Sequence, residues 1–499
     1  MGRQLFAVLT FIFFLFSATA QKPLSPLDYG IRESSSDSAR FWVLWNTHND
    51  ALTTGTTVTY LGIDTLDLEI PSNAVSIPLS SHTDFGNVVF RVKSTTKGLF
   101  LFSYCPKMDP IEANSDTLCR SIDEGDFSAF APRLKDSAWL IEVTDSTPWV
   151  RNREDHTYGH FRKELLRVKN LRSSDTPVLP YQDGKSAPVI RGRCIDNERP
   201  LFFGNITFLR DSASTTRVYL VDIENCVGVT LRNINVVTPK SVLNDDCIIK
   251  IYNCADVVLD SVTLIGSYSH TYHSGYGLLM DNLRDTRVSH LFARSDWGIF
   301  GTNNMCNTTL VDCDFNRFDI HCYGRDVSFC RCRQQDSYNQ FSSVVGTISF
   351  DSCQFDNFIP VLIEDSYNAY THFRLSMSRC FWHLTKEKHT LMKAGRIAPA
   401  QAGRNELDNF VSLPDVDIDG LTLQYDKKVR QLLLFQYNGR KQKTPFQGVR
   451  NIVLHNINYE GPKPLNIEIA NKRVRLAQAV HLEIPSKNGA VVPKIVNKF

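Results

Sequence analysis

The chain has 499 residues, of which 55 are lysine or arginine and 53 are aspartate or glutamate, so its net charge is +2 at pH 7. This balance, with no basic stripe and no acidic tail, argues against nucleic acid as a partner. The length fits two or three ordinary domains or one long repeat fold. Partners therefore have to be inferred from a site.

The first 20 residues have the features of a cleavable export signal. Arg3 is followed by an apolar run from Leu5 to Phe16 and then by Ala18-Thr19-Ala20. The run is too short to span a membrane, and no later stretch is apolar enough to do so. We expect cleavage near Ala20 and a protein that is secreted, periplasmic or at the cell surface, without membrane insertion.

Residues 21–95 predict a cap at one end of the fold. The segment DSARFWVLWNTHNDAL can place its apolar side chains on one side of a helix, and GTTVTYLGIDTLDLEIP alternates as strands do. This order of elements resembles the N-terminal end of the pectate-lyase-like superfamily, and the resemblance implies that they close one end of a β-helix. The residues that carry it are Asp28, Tyr29, Gly30, Val58, Tyr60, Gly62, Ile70 and Pro71.

A short pattern of alternating apolar and polar residues returns between Asn205 and Cys380. Alternation indicates strands, and a repeat of about twenty to thirty residues indicates a solenoid. We therefore predict an all-β fold, a right-handed parallel β-helix with an N-terminal helical cap. The segment at 297–324 also resembles secreted bacterial right-handed β-helix repeat proteins. The repeats are centred on Phe208, Leu231, Leu259, Val288, Leu310, Phe329, Phe350 and Met377.

The remaining segments are placed around these repeats. We expect residues 96–385 to form the β-helix, with long excursions before residue 200. Residues 386–410 resemble a loop, and residues 411–499 predict the last coils and a C-terminal cap. Asn225, Asn253, Asn282 and Asn304 recur before successive repeats, which predicts a stack of turn residues.

Thirteen cysteines in an exported chain would first suggest disulfides. Their number is odd, however, and four of them follow a repeat centre by three residues, which predicts small interior side chains. Cys105 and Cys119 lie outside the repeats and are the best candidates for a bridge. The four repeat cysteines are Cys313, Cys332, Cys353 and Cys380.

One strand carries most of the candidate functional side chains. Alternation in RFDIHCY at 317–323 predicts that its polar residues all face outward, where they could bind sugar or exchange protons. A solvated strand face with local ion pairs is the alternative. We expect Asp319, His321 and Asp281 as catalytic candidates and Arg317, Tyr323, Lys250, Asn303 and Glu364 as substrate-binding candidates.

The expected spacing of two carboxylates bears on the reaction. Asp281 and Asp319 would lie two rungs apart, about 10 Å from the spacing of parallel strands. This is near the upper end of the roughly 6.5–9.5 Å that an inverting glycosidase uses to fit a water.

The sequence NDDC at 244–247 resembles the DDC pattern of polygalacturonase-type glycoside hydrolases. The resemblance implies that Asp245 and Asp246 are acid or base candidates. The family's NTD, GHG and RIK motifs are not found as such, and His270 and His273 are only an approximate substitute for the second. A plain Asn-Asp turn is the alternative.

The sequence predicts no metal centre and no cofactor, since it has no zinc, P-loop or dinucleotide motif. Calcium could bind where carboxylates cluster, but no regular calcium loop is present.

Three functions remain open. The first is an exported glycoside hydrolase that acts on a polysaccharide through outward-facing carboxylates. The second is a polysaccharide lyase, in which Lys250, Arg325 or His321 removes a proton beside a uronic carboxylate. The third is a glycan-binding or surface-structural β-helix without turnover. The sequence does not indicate the oligomeric state.

Overall fold

The computed structural model describes most of the chain between residues 22 and 483. The export signal expected at 1–20 lies outside the described residues, as do Asp245, Asp246, His270, His273 and Cys322. The described residues are 22–135, 137–146, 161–178, 180–181, 186–238, 247–266, 276–294, 300–321, 323–335, 338–342, 344–356, 358–365, 372–397, 413–437, 449–463, 465–470 and 481–483.

In the described part of the chain, twenty-seven strands form one coiled, parallel sheet system. Each coil runs through three straight segments, and each segment pairs with its counterpart one coil away. The predicted fold class, a parallel β-helix with an N-terminal helical cap, is confirmed.

One side of the coil, which we call the front sheet, carries the candidate site. It consists of β3 (Ile77–Pro78), β5 (Leu99–Tyr104), β11 (Val218–Glu224), the first parts of β13 (Cys247–Gly266), β14 (Tyr276–Ser289) and β16 (Phe300–Val311), β18 (Phe318–Ile320), β21 (Tyr338–Phe341), β24 (Ile359–Asp365), β26 (Lys388–Ile397), β28 (Gln431–Tyr437) and β30 (Asn466–Ala470).

The other two sides are formed by the remaining strands of the coil. These are β1 (Val58–Thr59), β2 (Thr65–Glu69), β4 (His82–Lys93), β10 (Leu201–Arg210), β12 (Val227–Thr238), the later parts of β13, β14 and β16, β15 (Phe292–Arg294), β17 (Asp314–Phe315), β19 (Gly324–Cys330), β20 (Arg333–Gln335), β22 (Val344–Asp351), β23 (Gln354–Asp356), β25 (His372–Leu384), β27 (Asp415–Tyr425), β29 (Asn451–Glu460) and β31 (His481–Glu483).

The repeat centres form a continuous interior stack. Leu231, Leu259 and Val288 are direct neighbours across successive strands, and the register continues to Met377. The first predicted centre is wrong, because the strand partner of Leu231 is Phe203, whereas Phe208 pairs with Val236 one segment later. All of these side chains are buried.

The repeat cysteines are interior thiols. Each donates from Sγ to a carbonyl oxygen of the preceding coil, and the twelve described cysteines form no disulfide with one another. The bridge expected between Cys105 and Cys119 is wrong. Cys105 lies against Asp222 of the coil, whereas Cys119 belongs to a separate core and contacts Ser186.

The four recurring asparagines mark one corner of the coil. All have positive φ angles, which asparagine tolerates better than most residues. Asn253 Nδ2 donates to Asn225 Oδ1 over 3.0 Å, and Asn282 Nδ2 donates to Asn253 Oδ1 over 2.8 Å. Three of the four are thus joined in a hydrogen-bonded ladder at the end of the front sheet, whereas Asn304 Nδ2 donates to Asp281 Oδ1.

An insertion between β5 and β10, residues 105–200, contains a four-stranded antiparallel sheet in the order β6-β9-β7-β8. It has its own apolar core, and β8 packs against β13, β14 and β16 of the coil. Long excursions were expected here, but their antiparallel pairing was not. Its elements are β6 (Asp109–Ile111), α2 (Ser115–Glu124), a 3-10 turn (Ser128–Phe130), α3 (Ala131–Leu134), β7 (Ala138–Asp145), β8 (Arg162–Lys169) and β9 (Val189–Cys194).

Helix α1 (Asp37–Thr54) covers the N-terminal end of the coil. Ser36 caps its first turn, Gly55 ends it with a φ of 70°, and Phe41 and Leu44 pack into the main core. None of the described helices has both the length and the apolar character needed to cross a membrane.

The loop expected at 386–410 is wrong in its first half. Residues Lys388–Ile397 form strand β26, which pairs with β24 and β28. The sequence signal was weak because this strand mixes lysine and histidine with apolar residues. Residues 398–412 lie outside the described part.

Candidate functional site

The front sheet alternates as predicted, with apolar residues inside the coil. Ile249, Ile251, Leu278, Met280 and Phe300 are buried in the main core. The outward residues form two columns across the strands. Column one is Asp222, Lys250, Leu279, Gly301, Asp319 and Gln340, and column two is Glu224, Tyr252, Asp281 and Asn303.

This register corrects the spacing expected for Asp281 and Asp319. Asp281 lies in column two and Asp319 in column one, so the two are offset along the strand as well as by two rungs. Their Cα atoms are then about 12 Å apart rather than about 10 Å. Asp281 instead shares its column with Glu224.

Asp319 is the centre of a closed polar cluster on the front sheet. Arg317 Nε donates to Asp319 Oδ1 over 2.6 Å, and the Tyr276 hydroxyl donates to Asp319 Oδ2 over 3.3 Å. His321 Nε2 lies 3.0 Å from the same hydroxyl. The Arg317 guanidinium also stacks on Tyr338, 4.4 Å from the ring centroid. The structure therefore brings Arg317, Asp319 and His321 together, as expected.

Tyr276 covers Asp319 because Gly301 leaves room for its ring. A Cβ atom at Gly301 would lie 2.4 Å from the Tyr276 ring. The Asp319 side chain is 0% exposed, whereas that of His321 is 13% exposed. Burial raises the pKa of Asp319 to about 6, although Arg317 acts in the opposite direction. Asp319 can hold a proton near neutral pH, but a large substrate cannot touch it while Tyr276 is in place.

Tyr323 does not join this face. Met305 pairs with Gly324 while Gly301 pairs with Asp319, so the later strand contains one additional residue between these points. The slip moves Tyr323 to the asparagine corner, where it has a φ of 57° and is buried. Its predicted role in substrate binding on the same face is wrong.

A cleft of about 200 Å³ lies further toward the N-terminal end of the same sheet. Its polar lining comes from both outward columns, and its apolar lining includes Leu279. The lining residues are Glu224, Lys250, Ile251, Tyr252, Leu279 and Asp281. Of the predicted residues, the structure brings Lys250 and Asp281 to this cleft.

Lys250 joins two carboxylates at one end of the cleft. Its ammonium donates to Asp222 Oδ2 over 3.0 Å and also to Glu224 Oε1. The carboxylates raise the pKa of Lys250 although burial acts against them. At Asp222, by contrast, burial is the main cause of a raised pKa. Its Oδ1 atom is buried and has no hydrogen-bond partner among the described residues. Lys250 is therefore a cation and a poor candidate for a base.

Asp281 lies at the other end of the cleft, held by two donors. Asn304 Nδ2 donates to Asp281 Oδ1 over 2.9 Å, and Lys163 Nζ is 3.8 Å from Asp281 Oδ2. The Lys163 main-chain N–H donates to Asn304 Oδ1 in turn. The carboxylate of Asp281 is thus fixed in position, with 22% of its side chain exposed to the cleft.

Two side chains of the insertion contact residues that line the cleft. Tyr252 donates its hydroxyl hydrogen to Glu142 Oε1 over 2.8 Å, and Lys163 Nζ donates to the same hydroxyl oxygen over 2.8 Å. Burial and Glu142 raise the pKa of Tyr252, which keeps it a neutral phenol. Arg284 secures the contact by donating to the Leu165 carbonyl over 2.7 Å.

The sequence reasoning missed several of these groups. Asp222 and Glu224 were visible in VYLVDIENC, because they have the same outward phase as Lys250. Glu142 and Lys163 belong to the insertion, which has no repeat to reveal its register. Tyr276 and Gln340 could have been found only by aligning successive strands of the front sheet and comparing the residues at their outward positions.

Of the remaining predicted residues that the structure describes, Asn303 and Arg325 do not line the cleft. Asn303 faces outward but is buried. The side chain of Glu364 and the whole of Asp245 and Asp246 lie outside the described residues. Arg325 donates to the Pro177 and Thr176 carbonyl oxygens, which makes it a structural contact rather than a base.

Among the described residues, Cys105, Asp222 and Glu224 have the spacing of metal ligands, with their donor atoms within 4.8 Å of one another. The group suits a metal poorly. The Lys250 ammonium already bonds to both carboxylates, and burial raises the pKa of Cys105 to about 12, which keeps its thiol protonated.

No protein-family model and no curated protein sequence matches this chain. Solved structures do match its fold. The Gp54 tailspike of Acinetobacter baumannii bacteriophage AP22, in complex with A. baumannii capsular saccharide, aligns over 91% of this chain and 79% of its own, with 11% identity and a TM-score of 0.54. The tailspike gp61 of Pseudomonas phage phi297 aligns over 91% of this chain and 83% of its own, with 11% identity and a TM-score of 0.52. The chain shares the parallel β-helix fold of these proteins.

Proposed function

We propose that the chain is an exported protein that binds a polysaccharide along the front sheet and hydrolyses it at the cleft. The proposal of export rests on the first 20 residues. The proposal of a glycan substrate is supported by the shared fold with the AP22 tailspike, which was solved with a capsular saccharide. Because fold alone does not define function, the reaction is argued from the cleft.

The observation that carries hydrolysis is the arrangement of Glu224 and Asp281. They lie in one column, two rungs apart on either side of Tyr252, and both line the cleft. Strand spacing puts their Cα atoms about 10 Å apart. Side chains that lean toward the cleft then approach the roughly 6.5–9.5 Å used by inverting glycosidases.

The environments of the carboxylates support a division of roles. Asp222 and Glu224 share one ammonium, and burial raises the pKa of Asp222, which is the direction that a proton donor needs. We assign the pair as the proton donor to the leaving oxygen. Asp281, held by Asn304 and Lys163, acts as the base that removes a proton from water.

The test is a digest of plant, algal, host and bacterial capsular polysaccharides with the full chain. Each reaction is followed for new reducing ends and for the ultraviolet absorbance of an unsaturated uronic acid. Hydrolysis predicts reducing ends without the ultraviolet signal. Binding without turnover would leave a glycan-binding protein instead.

A lyase is the second candidate, and one contact favours it. The Tyr276 phenol and the His321 imidazole are 3.0 Å apart beside Arg317 and Asp319, so they could exchange a proton. An ultraviolet signal that is lost in Tyr276→Phe would support elimination at this cluster.

A further inference from the structure

We propose that the cleft accepts a sugar unit without a carboxylate, so that its polysaccharide is neutral or contains amino sugars. This rests on the proposed glycan-binding role of the cleft and narrows its substrate class. It also revises the expectation that Lys250 binds acidic sugar.

Both ammonium groups at the cleft already bond to groups of the protein. Lys250 bonds to Asp222 and Glu224 at the same time. Lys163 bonds to the Tyr252 hydroxyl and pairs with Asp281. A carboxylate on the ligand would have to share either ammonium with the groups that it already contacts, Asp222 and Glu224 at Lys250 and Asp281 and Tyr252 at Lys163.

Carboxyl groups outnumber ammonium groups at the cleft. Glu142 adds a further buried carboxylate, whose contact in the cleft is the neutral phenol of Tyr252. Among the described residues that line the cleft or bond to its lining, four carboxyl groups therefore accompany two ammonium groups, and one proton on the Asp222–Glu224 pair still leaves three negative charges against two positive ones. The four are Asp222, Glu224, Glu142 and Asp281.

The carboxyl groups also determine which hydrogen bonds the cleft can make with a ligand. Ionised carboxylates only accept hydrogen bonds, so apart from the one proton assigned to the Asp222–Glu224 pair the carboxyl groups of the cleft offer acceptors to a ligand. Sugar hydroxyl and ammonium groups donate and fit this surface. A uronic carboxylate would face like charges in a partly desolvated space.

The same charge pattern bears on the reaction. Elimination proceeds beside a uronic carboxylate, which requires a cation to neutralise that group. The cleft offers no such cation among its described residues that is not already paired. The proposed substrate class therefore agrees with hydrolysis.

The experiment compares three hexasaccharides that share a β-1,4-linked glucose backbone: cellohexaose, glucosamine hexamer and glucuronic acid hexamer. Isothermal titration of the full chain would give a dissociation constant for each at low and high salt. We expect the glucuronic acid hexamer to bind at least about tenfold more weakly than either other chain at low salt. Added salt should narrow this difference because it screens charge.

Glu142→Gln keeps an acceptor for Tyr252 and removes one charge, so it should reduce the discrimination. Asp312→Asn is the matched control, because Asp312 pairs with Arg331 at another corner of the coil. Equal or tighter binding of the glucuronic acid hexamer would overturn the proposal, as would absence of binding by both other chains. If Glu142→Gln does not fold, the salt dependence of the unmodified chain still decides.

Reducing ends would be measured on the same three chains. If the chain binds the two chains without carboxylates more tightly but hydrolyses none of the three, the proposed function is wrong and the proposed substrate class is supported. If the chain hydrolyses the glucuronic acid hexamer and Asp281→Asn does not, the proposed function is supported and the proposed substrate class is wrong.

Discussion

Asp222 and Lys250 are direct neighbours on adjacent rungs, and the Lys250 ammonium donates to Asp222 Oδ2 over 3.0 Å. Burial raises the pKa of Asp222, and the positive charge of Lys250 opposes this rise. At the end of the cleft that we propose as the proton donor, the pKa of Asp222 therefore depends on the charge of Lys250.

Lys250→Met should move the alkaline limb of the pH profile of hydrolysis upward by roughly one pH unit or more. The reason is that the pKa of Asp222 rises further once its ammonium partner is gone, so the donor keeps its proton to higher pH. Lys250→Arg keeps the charge and should leave the limb near its original place. An unchanged limb in Lys250→Met would remove Asp222 and Glu224 from the mechanism.

Asp319 should make stability depend on pH in a sense unusual for a carboxylate. Burial raises its pKa to about 6, so its contribution to stability is present below about pH 4 and is lost as the pH rises through 6. The free energy of unfolding of the natural chain, relative to Asp319→Asn, should fall by roughly 2.5 kcal/mol between pH 4 and 7. Urea titrations at each pH measure it.

Asp312 is the control for this titration. Its hydrogen bond with Arg331 lowers its pKa, so its contribution is lost as the pH falls rather than as it rises. The Asp312→Asn comparison should therefore show the opposite trend. If the two aspartates show the same trend, the burial of Asp319 is not what the structure indicates.

Asn282→Ala should destabilise the fold by about 3 kcal/mol. Asn282 is buried at a φ of 56° and donates to Asn253 Oδ1, so alanine adds backbone strain and leaves an unpaired acceptor. Asn282→Gly loses the same hydrogen bond but adds no backbone strain, so it should destabilise the fold by about 1 kcal/mol less than Asn282→Ala does. Equal losses in the two variants, measured by urea unfolding, would contradict a strained corner.

The thiols should differ in their reaction with iodoacetamide at pH 8. Cys194 is exposed and should be alkylated in the native protein, whereas the buried repeat cysteines should react only after unfolding. Cys105 is exposed too, but its pKa of about 12 should make it slow. Mass spectrometry of peptides gives each rate. Fast labelling of Cys332 would contradict its place in the interior.

The sequence predicts those features that depend on repetition. Alternating residues at a regular spacing predict the coil, the outward phase of Asp319 and the interior place of Cys332, because neighbouring rungs impose the same environment on each copy. Tyr323 departs from the prediction because one additional residue shifts the register there, and such a slip leaves no mark in the pattern.

The cleft itself is only partly predictable. Glu224 could have been placed beside Lys250 by aligning strands, since both have the outward phase. Glu142 and Lys163 reach the cleft through antiparallel pairing inside the insertion, and their contacts with Tyr252 depend on how two separate cores pack together. No local signal specifies that packing.

The most direct test of the central claim is the rate of new reducing ends on the first polysaccharide found to be cleaved. The natural chain would be compared with Asp281→Asn, Asp319→Asn and Asp312→Asn. Hydrolysis at the cleft predicts a loss of at least about 100-fold in Asp281→Asn, because general base catalysis contributes that much, and largely retained activity in the other two variants. Full activity in Asp281→Asn, together with its loss in Asp319→Asn, would contradict the account and move the chemistry to the Tyr276 cluster.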